Sequence, residues 1–226
     1  MFFDWTFVLL IPAVILAMYS QFKVKSTYSK MSEVRSAAGI PGHQFARMLL
    51  DKNGLSAVGV EQIAGEMTDN YDPTDKTLHL SSGVYNSSSV AAIGIVAHEV
   101  GHAVQDAKAY APLKLRSGFV PMAQIGSNLS IPMFFVGLIF SWPPLMDAGI
   151  LLFSLAVAFT VMTLPVEFNA SKRALVMITD TGSFSKEETG MAKQVLDAAA
   201  LTYVASTAMA ILQLLRLIVL RGSRDD

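Results

Sequence analysis

The segment His98-Glu99-Val100-Gly101-His102 combines residue types that together can hydrolyse a bond. On a helix, two histidines four residues apart lie on one face, so both imidazoles can reach a single Zn²⁺ ion. Zinc lowers the pKa of a water molecule that it binds to about 7, and a neighbouring glutamate can accept the proton. His98 and His102 are therefore the candidate metal ligands, and Glu99 is the candidate general base.

The residues around this motif favour a metal site over two surface histidines on an ordinary amphipathic helix. Residues 90–97 and 103–105 are apolar or small on nearly all sides, which predicts a buried helix. Buried histidines and a buried glutamate need partners that offset their desolvation, and a metal ion supplies them. Gly94 and Gly101 each lower helix propensity by about 1 kcal/mol relative to alanine, so we expect another element to pack closely against this helix.

The composition excludes several classes of protein and of site. Charged residues make up only 15% of the 226 residues and hydrophobic residues 52%, whereas soluble domains carry about 25% charged residues. The net charge of −1 argues against a nucleic-acid partner. The absence of cysteine excludes disulfides, thiolate ligands and a cysteine nucleophile. With only four histidines, a carboxylate is favoured over a third histidine as the remaining metal ligand.

Four apolar segments are long enough, or nearly so, to cross a bilayer, since about 20 apolar residues span its hydrocarbon core. They are residues 2–20, 117–146, 148–166 and 198–215, the last extended by residues 217–220. Any one of them could be a buried core helix, but four together predict an integral membrane protein. We therefore predict a mainly helical membrane protein with a zincin-like HExxH helix and a small β-hairpin or strand element on the cytoplasmic side.

The distribution of lysine and arginine predicts the topology. Residues 21–116 hold ten of them and residues 167–195 hold four, whereas residues 141–147 hold none. Because basic segments stay in the cytoplasm, both basic blocks are predicted to be cytoplasmic and the short loop external. Arg221 and Arg224 conflict with four complete spans, so the side of the C-terminus stays open.

The predicted organisation has five parts. They are an N-terminal membrane anchor (1–20), a cytoplasmic region with the strands and the motif helix (21–116), two membrane helices (117–166), a cytoplasmic segment with the third ligand (167–195), and a C-terminal membrane helix with its tail (196–226).

Upstream of the motif helix, residues 58–63 and 76–80 are predicted to form strands on either side of a turn-rich segment, residues 69–75. An exposed strand edge beside a zinc site can accept a peptide substrate as an additional strand. The same two strands could also serve only as a support. The sequence leaves both interpretations open.

Glu167 is the candidate third ligand. It follows an apolar segment at its predicted cytoplasmic end and is expected to open a helix. The helix dipole also favours a glutamate at a helix start, even where no metal is bound. Asp147 lies in the predicted external loop, and Asp106, one turn after His102, is better placed to orient a neighbouring group. We therefore predict a site of two histidines and one glutamate with an open fourth position.

Several segments carry a family resemblance that covers nearly the whole chain. They are Asn70-Tyr71-Asp72-Pro73, the HEVGHAVQ helix at 98–105, and residues 165–171 and 199–205. On these residues the chain resembles the YugP family of neutral zinc metallopeptidases of bacterial membranes. It is more distantly similar to the HtpX and CAAX prenyl protease group of gluzincins, in which a Glu-x-x-x-Asp pattern supplies the third ligand. Ser171 stands in the aspartate position here, so the supporting role of that aspartate does not carry over.

The resemblance and the motif together predict a zinc metallopeptidase of the cell membrane, with its site facing the cytoplasm. Its partners would be the lipid bilayer and a peptide or protein substrate, including membrane proteins, and a homo-oligomer is left open. Asn169, Arg173 and Tyr203 are candidates for stabilising the oxyanion. Two alternatives stay open: a zinc-binding membrane scaffold without proteolytic activity, and a zinc hydrolase of a lipid or another non-peptide amide or ester.

Overall fold

The computed structural model describes residues 5–223. Residues 2–4 of the first predicted membrane segment and Arg224 lie outside the described residues. A 3₁₀ helix, Trp5–Leu10, leads into the remaining elements, which are, in chain order, α1 (Ile11–Ser32), α2 (Gly42–Lys52), β1 (Gly59–Ile63), β2 (Asn70–Asp72), β3 (Thr77–Ser81), α3 (Ser82–Tyr85), α4 (Val90–Ala107), α5 (Ala111–Ile139), α6 (Pro143–Asp180) and α7 (Lys186–Gly222).

Four helical stretches are long and apolar enough to cross a membrane, judged by length and composition: Trp5–Ser32, Ala111–Ile139, Pro143–Asp180 and Lys186–Gly222. Helices account for 75% of the described residues. These two findings confirm the mainly helical fold class and the four candidate membrane helices.

One local expectation about helix boundaries is wrong. Glu167 does not open a helix, because α6 runs without a break from Pro143 to Asp180 and includes Pro165 in its interior. Proline removes one backbone donor and disturbs a helix, but it does not end this one, which continues on both sides. The dipole explanation for Glu167 therefore does not apply.

The chain divides into two compact units. One contains the residues up to Gln21, Lys114–Pro165 and the residues from Leu201 onward, and its buried cluster includes Phe134, Met146 and Leu217. The other contains Phe22–Leu113 and Val166–Ala200. All residues of the candidate metal site belong to the second unit.

The second unit contains a three-stranded sheet in the order β1-β3-β2. β1 pairs with β3 in parallel, from Gly59 opposite Thr77 to Ile63 opposite Ser81. β2 pairs antiparallel to β3, with Tyr71 opposite Leu78. The two predicted strands are thus present but do not form a hairpin with each other. The hairpin is instead formed by β2 and β3, because three residues of the segment predicted as turn are extended.

Helix α4 carries the HExxH motif and lies in the core of this unit. Its first turn is capped by Ser89, whose hydroxyl accepts a hydrogen bond from the Ala92 backbone N–H (3.2 Å). The predicted close approach of another element is found at Gly101, where an added Cβ would lie 2.8 Å from the Ala170 carbonyl oxygen in α6. At Gly94 the nearest atoms, in Ala192, would lie 3.5 Å away, which is ordinary contact distance. Of these two glycines, only Gly101 therefore requires the absence of a side chain.

Candidate metal centre

Three side chains from α4 and α6 converge on one point. The Nε2 atoms of His98 and His102 lie 3.2 Å apart. Oε2 of Glu167 lies 3.2 Å from the first of these nitrogens and 3.5 Å from the second. The three atoms form a nearly equilateral triangle whose corners are an imidazole nitrogen, a second imidazole nitrogen and a carboxylate oxygen. Glu167 is 2% exposed, so this triangle lies at the bottom of a largely buried site.

The dimensions of this triangle fit zinc. Zinc binds histidine nitrogen and carboxylate oxygen at 2.0–2.2 Å in a tetrahedral arrangement, which places neighbouring ligand atoms about 3.3 Å apart. The three separations between His98, His102 and Glu167 match that spacing. Three such ligands would leave the fourth tetrahedral position open, which is the arrangement found in catalytic rather than structural zinc sites.

A buried amide sets the proton position on His102. Nε2 of Gln105 donates to the Val166 carbonyl oxygen (2.8 Å) and to Oδ1 of Asn169 (3.0 Å), so its Oε1 must be the acceptor that faces His102. That Oε1 lies 3.0 Å from Nδ1 of His102, which must therefore carry the hydrogen. In the neutral imidazole the lone pair is then on Nε2, the atom in the ligand triangle.

Ser171 plays the equivalent part for the first histidine. Its hydroxyl oxygen lies 3.1 Å from Nδ1 of His98. As an acceptor it leaves the Nε2 lone pair of His98 free for the metal. Both histidines are thus oriented by neutral side chains, and no carboxylate contacts either Nδ1 atom among the described residues.

Glu99 lies next to the ligand triangle and is held by a strand. Its Oε2 accepts a hydrogen bond from the backbone N–H of Tyr71 in β2 (3.0 Å). Burial raises the pKa of the Glu99 carboxyl, while the charges of His98 and His102 act in the opposite direction. A carboxylate that is more basic than usual and fixed in position suits proton acceptance.

The strand that holds Glu99 is itself fastened to α4. The Tyr71 hydroxyl donates to Oδ2 of Asp106 (2.7 Å), and the Lys76 ammonium donates to the same oxygen (2.6 Å). Asp106 thus orients a neighbouring group, as its position in the sequence indicated. β2 thus supports Glu99 through the Tyr71 backbone N–H. The two roles left open for the strands at 58–63 and 76–80 stay predictions.

The structure brings together the four site residues named from the sequence, His98, Glu99, His102 and Glu167. Of the oxyanion candidates, Arg173 donates from Nε to Oδ1 of Asn169 (2.7 Å), and Tyr203 belongs to the other unit.

Sequence reasoning missed the roles of Ser171, Gln105 and Tyr71. Helical spacing could have suggested two of them, because Ser171 lies four residues after Glu167 and Gln105 three residues after His102. The contact between Tyr71 and Glu99 has no such signal, because a backbone N–H is common to nearly every residue.

Comparisons with known proteins identify the family of the chain. Residues 6–222 match the model of the family described as "Putative neutral zinc metallopeptidase". The chain is 42% identical, over 219 residues, to "Putative membrane protease YugP" of Bacillus subtilis (strain 168), which covers 96% of this chain and 97% of that protein. No solved structure matches the chain. Because the family match extends over nearly every residue, this chain belongs to the neutral zinc metallopeptidase family.

Proposed function

We propose that this chain is a membrane-embedded zinc metallopeptidase that hydrolyses peptide bonds, with His98, His102 and Glu167 as zinc ligands and Glu99 as general base. The observation that carries the proposal is the triangle of ligand atoms, with separations of 3.2, 3.2 and 3.5 Å. The family and the YugP relative supply the peptidase class and the membrane location.

The residues of the chain have separate tasks in this reaction. Bound zinc would polarise the scissile carbonyl and activate a water molecule for attack. Glu99 accepts the proton of the attacking water and then donates it to the leaving amine. The Tyr71 N–H holds the carboxylate of Glu99 in place, and Gln105 and Ser171 hold the two imidazoles in the tautomer that exposes Nε2.

Two variants of the full chain separate metal binding from turnover. Glu99→Gln keeps the shape of the base and removes its basicity, so we expect one zinc per chain and a loss of peptide cleavage of at least about a hundredfold. Glu167→Ala removes a ligand, so we expect zinc content to fall. Zinc is measured by elemental analysis and cleavage with a casein or peptide library.

The same measurements distinguish the other interpretations. Wild-type rates in Glu99→Gln would remove Glu99 as the base, and unchanged zinc in Glu167→Ala would place the third ligand elsewhere. Bound zinc without cleavage of any peptide would favour the scaffold or a hydrolase of a lipid or other non-peptide substrate.

We further propose that the site faces the cytoplasm, because its residues lie within the basic segments 21–116 and 167–195. The chain has no cysteine, so single cysteines can report on each side. Thr74→Cys, in the exposed β2–β3 turn, should resist a membrane-impermeant maleimide in intact cells, and Ser141→Cys should react. The reverse pattern would place the site outside.

A further inference from the structure

A basic pocket of about 370 Å³ lies in the same unit as the candidate metal centre. We use this name for the cavity whose polar lining includes Lys108 at the end of α4 and Asn169, Lys172, Arg173 and Asp180 on α6. Val176 and Met177 form part of an apolar wall. None of these residues belongs to the ligand triangle or contacts Glu99.

Positive charge exceeds negative charge in this pocket. Lys108, Lys172 and Arg173 face a single carboxylate, Asp180, which leaves a net charge of +2 on its lining. The ammonium groups of Lys108 and Lys172 have no ion-pair partner within residues 5–223. Like charges that converge on one cavity repel each other, and a bound anion would relieve that repulsion.

Arg173 is held so that its binding atoms stay available. Its Nε donates to Oδ1 of Asn169 (2.7 Å), which also accepts the bond from Nε2 of Gln105 (3.0 Å). The two terminal nitrogens of the guanidinium make no hydrogen bond or ion pair in the described part of the chain. They remain available as donors, and the planar guanidinium can bind an oxyanion through two parallel hydrogen bonds.

Asn169 contributes donors of its own. Both hydrogen bonds that reach its side chain end on Oδ1, which fixes the orientation of the amide. Its NH₂ group is left with two hydrogens for a ligand in the basic pocket. The pocket therefore offers donors from an amide, a guanidinium and two ammonium groups, and these donors are partly preorganised.

We propose that the basic pocket binds a phosphate group. A phosphate ester presents three or four acceptor oxygens and one to two negative charges. This matches the four donor groups of the pocket and its net charge of +2. A carboxylate has two oxygens and one charge, and would leave several of the donors unused. The proposal does not depend on peptide cleavage.

The phosphate could belong to a phospholipid headgroup or to a soluble phosphate ester, since both present the same group. The course of α6 is compatible with a lipid, because Arg173 follows Pro165 by eight residues, about 12 Å along the helix. The residues before Pro165 form the uncharged apolar segment 148–164. The experiment therefore includes one arm for each source.

The test uses the full chain in dodecyl maltoside micelles, which contain no phosphate. In one arm, inorganic phosphate and glycerol 3-phosphate are titrated calorimetrically into the wild type and into Lys172→Ala and Arg173→Gln. In the other, phosphatidic acid is added to the micelles, and retained lipid is counted by native mass spectrometry. Lys186→Ala is the control, because it removes an exposed cation of the same unit that does not line the basic pocket.

We expect each pocket variant to bind the phosphate probe about tenfold to a hundredfold more weakly than the wild type, and Lys186→Ala to bind it equally well. Binding of the soluble probes supports the proposal with a soluble ligand, and retention of phosphatidic acid alone supports it with a lipid ligand. Lys172 is exposed, so its replacement tests the pocket even if Arg173→Gln perturbs Asn169.

Two results would overturn the proposal. One is the absence of binding with every probe, and the other is equal binding by the wild type and both pocket variants. Zinc content is measured on the same samples. Failure of the phosphate proposal with zinc retained is thereby distinguished from failure of the proposed peptidase site.

Discussion

The hydroxyl oxygen of Ser171 lies 3.1 Å from Nδ1 of His98, one helical turn after Glu167 on the same face of α6. The serine offers the same histidine an acceptor without a negative charge. The proposed metal-binding carboxylate and the hydroxyl beside His98 are thus placed on α6 by a spacing of four residues.

Replacing Ser171 should weaken zinc binding without altering the ligand set. Ser171→Ala leaves the Nδ1–H of His98 without its acceptor, and loss of such a partner typically lowers metal affinity by about tenfold to a hundredfold. Ser171→Thr keeps the hydroxyl and should restore the affinity. The measurement is a competitive titration with a zinc chelator. Equal affinity in Ser171→Ala and the wild type would show that His98 does not depend on this hydroxyl.

The close approach of α4 to α6 at Gly101 should make this position sensitive to a single methyl group. In Gly101→Ala the new Cβ would lie 2.8 Å from the Ala170 carbonyl oxygen, so the helices must separate. Overpacking of this kind costs about 1–3 kcal/mol in the free energy of unfolding, and it also shifts Glu167 relative to His98 and His102.

Gly94→Ala is the matched control for that substitution. Its Cβ would meet Ala192 at 3.5 Å, and alanine raises helix propensity by up to about 1 kcal/mol. We expect Gly94→Ala to unfold at the wild-type temperature or above and Gly101→Ala to unfold below it and to bind less zinc. Thermal unfolding of the two variants in the same detergent checks this, and similar losses in both would contradict the close-packing explanation.

Much of the candidate site could be predicted because its first part is local. His98, Glu99 and His102 lie within five residues, and a helix by itself places both imidazoles on one face. Glu167 is 65 residues after His102 and was inferred by comparing the few available carboxylates. Its assignment as a zinc ligand stays a prediction, although the structure brings its carboxylate to the two histidines.

The remainder of the fold depends on pairings that are not local. The parallel pairing of β1 with β3 brings Gly59 beside Thr77. No turn motif in the sequence predicts such a contact. The extended conformation of Asn70–Asp72 likewise follows from its pairing with β3 inside a segment rich in turn-forming residues. Residue types alone favoured a turn there, and tertiary contacts decided otherwise.

Tyr71 should stabilise both the strand and the base. In Tyr71→Phe the hydroxyl bond to Asp106 is lost, and a hydrogen bond to a charged group contributes about 1.5–3 kcal/mol when well formed. Asp106 is 24% exposed and keeps Lys76, so we expect the free energy of unfolding to fall by about 1 kcal/mol.

A positional role for Tyr71 should also appear in the kinetics. The backbone N–H that contacts Glu99 remains in Tyr71→Phe, but β2 is less firmly fixed, so kcat should fall while zinc content and KM change little. Asp106→Asn keeps an acceptor for the Tyr71 hydroxyl and should lose less activity. An unchanged kcat in Tyr71→Phe would show that the hydrogen bond between Tyr71 and Asp106 does not contribute to catalysis.

Zinc uptake by the metal-free protein should depend on pH through His102. Burial lowers the pKa of its imidazole, but the hydrogen bond to Glu167 and the negative charge of Glu99 outweigh burial, so that the pKa is raised above 6.5. A raised pKa means that the imidazole keeps its proton to a higher pH, and zinc must displace that proton before it can bind. The apparent zinc affinity should therefore fall as the pH is lowered through this raised pKa, with the decline beginning above pH 6.5.

In Glu99→Gln the neutral amide removes one cause of the raised pKa of His102, so the decline should begin at a lower pH than in the wild type. Chelator competition between pH 5.5 and 8.5 measures both curves. Identical curves would show that the charge of Glu99 does not raise the pKa of His102.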